Sequence, residues 1–276
     1  MELATTTVDL PGSHLGVLVR PARVRDALPG VVLVQEIWGV DEHIQDVAGR
    51  LASAGFAVLA PALFSRGGGY PPALAPDHVA RAKQFLESVP PQAWAGLPDA
   101  ARRAELLANR AAPERERLDD TLAAIFPPDR SAQLDGWARD LVQASDSLRR
   151  SAAVQGRRVG ALGFCMGGGL AARLATDDPA LAAAVVFYGA PPPADAILRI
   201  ACPVMGQFGG EDARLVQQLP AFEQAMKAAG KQLELHVYPG APHAFFNDTR
   251  RSYHVEAARE AWAQTLGFLS RHLGPR

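Results

Sequence analysis

The residues best suited to covalent chemistry lie in Gly163-Phe164-Cys165-Met166-Gly167-Gly168-Gly169. An apolar run, Val159–Leu162, precedes them, and a helical pattern, Gly168–Ala175, follows. A nucleophile between two glycines, on a tight turn from strand to helix, projects its side chain above a sheet. The glycines let strand and helix backbones approach without Cβ clashes. The helix N-terminus favours a thiolate and an oxyanion alike. Cysteine stands here where serine is more common. The alternative reading is a buried structural cysteine beside a glycine-rich turn.

Two later segments add partners. After the apolar run Val204–Phe208 comes Gly209-Gly210-Glu211-Asp212, which carries two acids. After Leu233–Tyr238 comes Pro239-Gly240-Ala241-Pro242-His243-Ala244-Phe245-Phe246, which carries a histidine. Each follows a predicted strand, at the sheet edge where open α/β folds build their sites. The chain order is nucleophile, acid, histidine, as in hydrolases with such an elbow. Either Asp212 or Glu211 could orient the histidine; the shorter aspartate suits a fixed hydrogen bond to His243. A further acid stands in Gln35-Glu36-Ile37-Trp38-Gly39, after the run Val31–Val34. It is either directed toward the nucleophile or a capping carboxylate.

The elements that must position these residues follow from periodicity. Short apolar runs at Gly16–Val19, Val31–Val34, Ala57–Leu59, Val159–Phe164, Ala184–Tyr188, Val204–Phe208 and Leu233–Tyr238 alternate with amphipathic stretches. The stretches are His43–Ala54, Trp137–Ala153, Met166–Ala175, Ala213–Ala229 and Tyr253–His272. This predicts an α/β fold with a mostly parallel central sheet and helices on both faces. Thr5–Leu10 and Gly16–Arg20 predict an antiparallel hairpin at its edge. Residues 1–276 read as one domain, with a helical, cap-like insertion at about 65–132. Helices are expected there at Asp77–Ser88, Asp99–Arg110 and Glu114–Ile125, between proline-rich boundaries.

Composition excludes other classes. Lys and Arg total 28 against 29 Asp and Glu, so the charge balance does not suit a nucleic-acid binder. No apolar run is long enough to span a membrane. Met1–Thr5 has no basic start followed by an apolar stretch, so the expected location is cytoplasmic. Only Cys165 and Cys202 are cysteines, so a disulfide framework is not expected. His14, His43, His78, His236, His254 and His272 share no ligand spacing; neither a metal nor an organic cofactor is expected.

Together these segments resemble the dienelactone hydrolase family of α/β hydrolases. The resemblance rests on Gln35-Glu36-Ile37-Trp38-Gly39, Gly55-Phe56-Ala57-Val58-Leu59-Ala60-Pro61, Gly163-Phe164-Cys165-Met166-Gly167-Gly168, Tyr188-Gly189 and Pro242-His243-Ala244-Phe245. It implies a triad of Cys165, His243 and Asp212. It also implies that Glu36 interacts with the thiol, and that the amides of Ile37 and Met166 form an oxyanion hole. The implied reaction is hydrolysis of a small ester or lactone through a thioester. A catalytically silent scaffold that binds a small ligand is the alternative. A redox thiol protein is another, but no resolving cysteine lies near Cys165. Trp38, Phe245 and Asn247 are expected to bind substrate. Asn247 occupies the place of an arginine that holds the substrate carboxylate in dienelactone-cleaving relatives. Neutral substrates are therefore expected to be cleaved at least as well as carboxylated ones, unless Arg66, Arg81 or Arg110 of the insertion substitutes.

Overall fold

A computed structural model describes residues 1–274. The strands are β1 (Leu3–Leu10), β2 (His14–Pro21), β3 (Gly30–Val34), β4 (Ala57–Ala62), β5 (Val159–Phe164), β6 (Ala184–Phe187), β7 (Val204–Gly209) and β8 (Leu233–Tyr238). They form one sheet in the order β1-β2-β4-β3-β5-β6-β7-β8. The β1–β2 and β2–β4 pairs are antiparallel, and all the others are parallel. Every residue of β3, β4, β5, β6 and β7 is buried. Successive side chains alternate between faces, so both faces of the central sheet are covered.

The helices are α1 (Glu42–Ser53), α2 (Pro76–Glu87), α3 (Ala100–Leu107), α4 (Ala112–Ile125), α5 (Ser131–Arg150), α6 (Met166–Asp177), α7 (Ala194–Ile197), α8 (Ala213–Val216), α9 (Leu219–Ala228) and α10 (Val255–Leu273). This is the α/β-hydrolase arrangement, a mostly parallel sheet with helical crossovers. The expected helix over 213–229 is divided into α8 and α9. Pro220 has no N–H and is accommodated in the first turn of α9, where no intrahelical bond is lost. No described helix is long and apolar enough to cross a membrane.

Between β4 and α5 the chain forms α2, α3 and α4. Leu118, Leu122 and Ile125 bury one face of α4. Arg103 of α3 donates to Asp119 of α4 at 2.9 Å and to the Leu97 carbonyl at 2.8 Å. Two polar links tie α2 to the body. Lys83 Nζ donates to Asp41 Oδ2 and Thr249 Oγ1, both at 2.7 Å. Glu87 accepts from Arg250 Nε at 2.6 Å.

Candidate active site

Cys165 stands between β5 and α6 with φ 54° and ψ −116°, a strained conformation for a residue with a Cβ. The turn depends on two glycines. A Cβ on Gly163 would lie 2.0 Å from the Gly167 carbonyl oxygen. One on Gly167 would lie 2.3 Å from the Gln35 carbonyl oxygen. No larger residue fits at either position without moving β3, β5 or α6.

The three residues from separate strand ends converge. His243 Nε2 is 3.2 Å from Cys165 Sγ, and His243 Nδ1 is 2.5 Å from Asp212 Oδ2. Asp212 is also the N-cap of α8, where its Oδ1 accepts from the Leu215 amide at 3.4 Å. That second bond fixes the carboxylate toward the imidazole. Glu211 is exposed, and its amide donates to the Ala241 carbonyl. Asp212, not Glu211, is therefore the acid brought to the histidine.

The charges of the three groups are coupled. Burial opposes the imidazolium of His243, but the Cys165 charge and the Asp212 hydrogen bond outweigh it and raise its pKa to about 10. Burial likewise opposes the Asp212 carboxylate, yet its His243 contact holds it below the usual range. Cys202, by contrast, is buried, and its thiol is pushed up to about 12 by burial.

Glu36 is 1% exposed. Its Oε2 accepts from Asn247 Nδ2 at 2.8 Å, and its Oε1 accepts from Tyr188 Oη at 3.2 Å. Burial raises its pKa, with Arg250 and Asn247 working against the rise. Among the described residues no hydrogen bond joins Glu36 to Cys165, so the expected contact with the thiol is not made in this conformation. Tyr188 supplies the hydroxyl that Glu36 Oε1 meets instead. Its ring lies edge-on to His243, with centroids 5.1 Å apart.

A cavity of about 530 Å³ opens over Cys165 and His243. Ile37, Trp38 and Met166 line it, as does Trp94 from the segment before α3. Met166 is the first residue of α6, where amides lack intrahelical acceptors. The Ile37 amide has no hydrogen-bond acceptor among the described residues.

Two expected substrate contacts are corrected. Phe245 and Asn247 are fully buried and do not line this cavity. Phe245 packs on Tyr188 and Tyr238, with centroids 5.5 and 5.2 Å apart. Asn247 is turned inward by Thr249, whose amide and hydroxyl both donate to Asn247 Oδ1, at 3.1 and 2.7 Å. Its amide nitrogen is thereby left facing Glu36.

The arginines at the cavity also differ from those expected. Arg66, Arg81 and Arg110 are not among its lining residues, whereas Arg130, Arg173, Arg214 and Arg250 are. Arg173 is engaged by Asp135 and Asp177, and Arg250 by Glu87. Arg130 donates to the Ile125 carbonyl, and its buried Nε has no partner among the described residues. Burial lowers its pKa, and the Cys165 charge opposes that. Sequence gave no signal for Arg130, which follows Pro127-Pro128 in an irregular stretch. Tyr188 carried one, its place at the end of the apolar run Ala184–Tyr188 and in the Tyr188-Gly189 pair.

Residues 15–273 match the model of the dienelactone hydrolase family. A protein of Saccharolobus solfataricus named "Putative carboxymethylenebutenolidase" is 35% identical over 242 residues, covering 87% of this chain and 88% of that one. A protein of Escherichia coli with the same name is 30% identical and covers 97% of this chain and 84% of that one. The crystal structure of a "Putative Dienelactone Hydrolase" from Klebsiella pneumoniae is 26% identical, with a TM-score of 0.71 over 98% of this chain and 100% of that one. A match over nearly the whole length, joined to the sheet order and the elbow, places this chain in the dienelactone hydrolase family.

Proposed function

We propose that this hydrolase cleaves a small ester or lactone by nucleophilic catalysis, with Cys165 as nucleophile, His243 as acid and base, and Asp212 as its orienting group. The observation that carries this reading is the unbroken line from Asp212 Oδ2 through both imidazole nitrogens to Cys165 Sγ, at 2.5 and 3.2 Å.

The thiolate attacks the carbonyl carbon, and the amides of Ile37 and Met166 hold the resulting oxyanion. Such preorganised donors usually contribute the largest single effect in acyl transfer. The tetrahedral species collapses to a thioester, and imidazolium His243 protonates the departing alkoxide. In a lactone that hydroxyl stays tethered to the acyl group. Acylation removes the Cys165 charge, one of the causes of the raised His243 pKa. The imidazole, neutral after that transfer and no longer held protonated by a thiolate, takes a proton from water, which attacks the thioester. The acid leaves and the thiolate returns.

In this reading residues 65–132 form a cap over the site within one domain, delivering Trp94, Phe126 and Arg130 to the cavity wall. Arg130 suits a carboxylate on the substrate, which revises the expectation that neutral substrates are favoured. Its guanidinium in the cavity wall supplies the charge that Asn247 does not.

Hydrolysis of p-nitrophenyl acetate by wild type and Cys165→Ala is the direct test, with mass spectrometry of the quenched enzyme. Loss of turnover in the variant, and an acyl adduct on Cys165 in wild type, are expected. Wild-type turnover in Cys165→Ala overturns the nucleophile assignment. A folded wild-type protein inert toward esters, lactones and thioesters favours the silent ligand-binding scaffold instead.

A further inference from the structure

We propose that the cleft between α2 and α4 binds a small organic anion, a carboxylate on an apolar body, at a site separate from the Cys165 cavity. The cleft is a cavity of about 550 Å³ whose walls share no residue with the cavity over Cys165.

Helical spacing builds the two walls. His78, Arg81, Phe85 and Ser88 recur at three- and four-residue steps along one side of α2 and onto its C-cap. On α4 the pairs Glu114 and Leu118, and Arg117 and Thr121, are each four residues apart. The floor is apolar, because Phe85 and Leu118 are buried. The rim is cationic, with Arg81, Arg110 and Arg117 against a single carboxylate, Glu114. Glu114 lies 3.5 Å from Arg110, whose guanidinium also stacks over Phe85 at 5.1 Å. Among the described residues neither Arg81 nor Arg117 has an ion-pair partner. Three guanidinium groups around one cleft repel one another, and an anion between them removes that cost.

A buried hydroxyl independently points to a ligand. Thr121 is 1% exposed, and its Oγ1 has no hydrogen-bond partner among the described residues. A helical threonine would ordinarily satisfy itself on a carbonyl of the preceding turn. Left unpaired and closed to solvent in the wall of a cationic cleft, this hydroxyl can be turned by a χ1 rotation to a ligand beneath the arginine rim. The cleft therefore suits an anionic head at Arg81 and Arg117, an apolar body on Phe85 and Leu118, and a polar atom at Thr121.

The test is calorimetric titration of 1-naphthoate into the full-length protein. The variants are the double substitution Arg81→Gln/Arg117→Gln, Thr121→Val and Arg130→Gln. The double variant is expected to bind at least about tenfold more weakly, the loss of a charge-assisted contact. Its p-nitrophenyl acetate turnover without naphthoate should equal wild type. Thr121→Val is expected to bind about threefold or more weakly while melting at or above the wild-type temperature, since it removes an unsatisfied buried group. Arg130→Gln should leave the affinity unchanged. Equal affinity in the double variant or in Thr121→Val overturns the proposal. So does loss of binding in Arg130→Gln, which would put the probe in the Cys165 cavity. A wild-type dissociation constant weaker than about 1 mM overturns it too.

Discussion

Asn247 Nδ2 donates to Glu36 Oε2 at 2.8 Å, joining the loop after His243 to the loop after β3 in the interior of the protein. Both side chains are buried, and the amide's orientation is dictated by Thr249 on its other side. Asn247 is thus a positioning residue for a buried carboxyl group, standing where a substrate contact was expected.

Removal of that donor should cost stability in a pH-dependent way. Burial raises the Glu36 pKa, so the native state favours the neutral carboxyl. The stability this contributes is present below the unfolded value and is lost as pH rises through the raised folded value. Asn247→Ala raises the folded value further. Its penalty should be small in acid and reach about 1–3 kcal/mol once the carboxylate is ionised. Urea unfolding across pH 4 to 8, about the ordinary glutamate range and above, measures this. A penalty independent of pH would count against Asn247 acting through Glu36.

The imidazole should report its neighbour's charge. With the Cys165 charge and hydrogen bond gone, Cys165→Ala should lower the His243 pKa from about 10 by at least about one unit. NMR titration of the ring protons tests it. An unchanged value would show that Asp212 alone sets the protonation of His243.

The acid assignment separates two adjacent carboxylates. Asp212→Asn keeps an N-cap for α8 but presents His243 in the wrong tautomer, and should lower kcat by up to about 10⁴. Glu211→Gln removes an exposed charge with no side-chain bond to the histidine, and should change kcat less than about threefold. A larger effect from Glu211→Gln would reverse the assignment.

Arg130→Gln should lower kcat/KM for a carboxylated lactone by about one to two decades, the loss of a hydrogen bond to a charged group. A matched neutral ester should be nearly unaffected. The comparison is made at low and high salt, since screening weakens only the charged contact. Equal losses on both substrates would assign Arg130 to the cavity's shape and not to recognition of charge.

The elbow and its partners were legible because their cause is local. A nucleophile between Gly163 and Gly167 answers to backbone sterics, and acid and histidine after apolar runs answer to the register of strand ends. The mostly parallel sheet was legible for a similar reason, since strands buried on both faces must be apolar throughout. The break between α8 and α9 was not anticipated in the stretch Ala213–Ala229, although Pro220 gives it a local cause. Other features were not legible, because they depend on where distant segments meet. Nothing near Arg130 says that its guanidinium enters the cavity over Cys165, 35 residues further along the chain. Nothing near Asn247 says that Thr249 will turn it inward toward Glu36, 211 residues away. Local spacing specifies elements and the backbone of their turns. The direction of a long or amide side chain is set by the charges and hydrogen bonds it meets after packing, and only the tertiary structure brings those together.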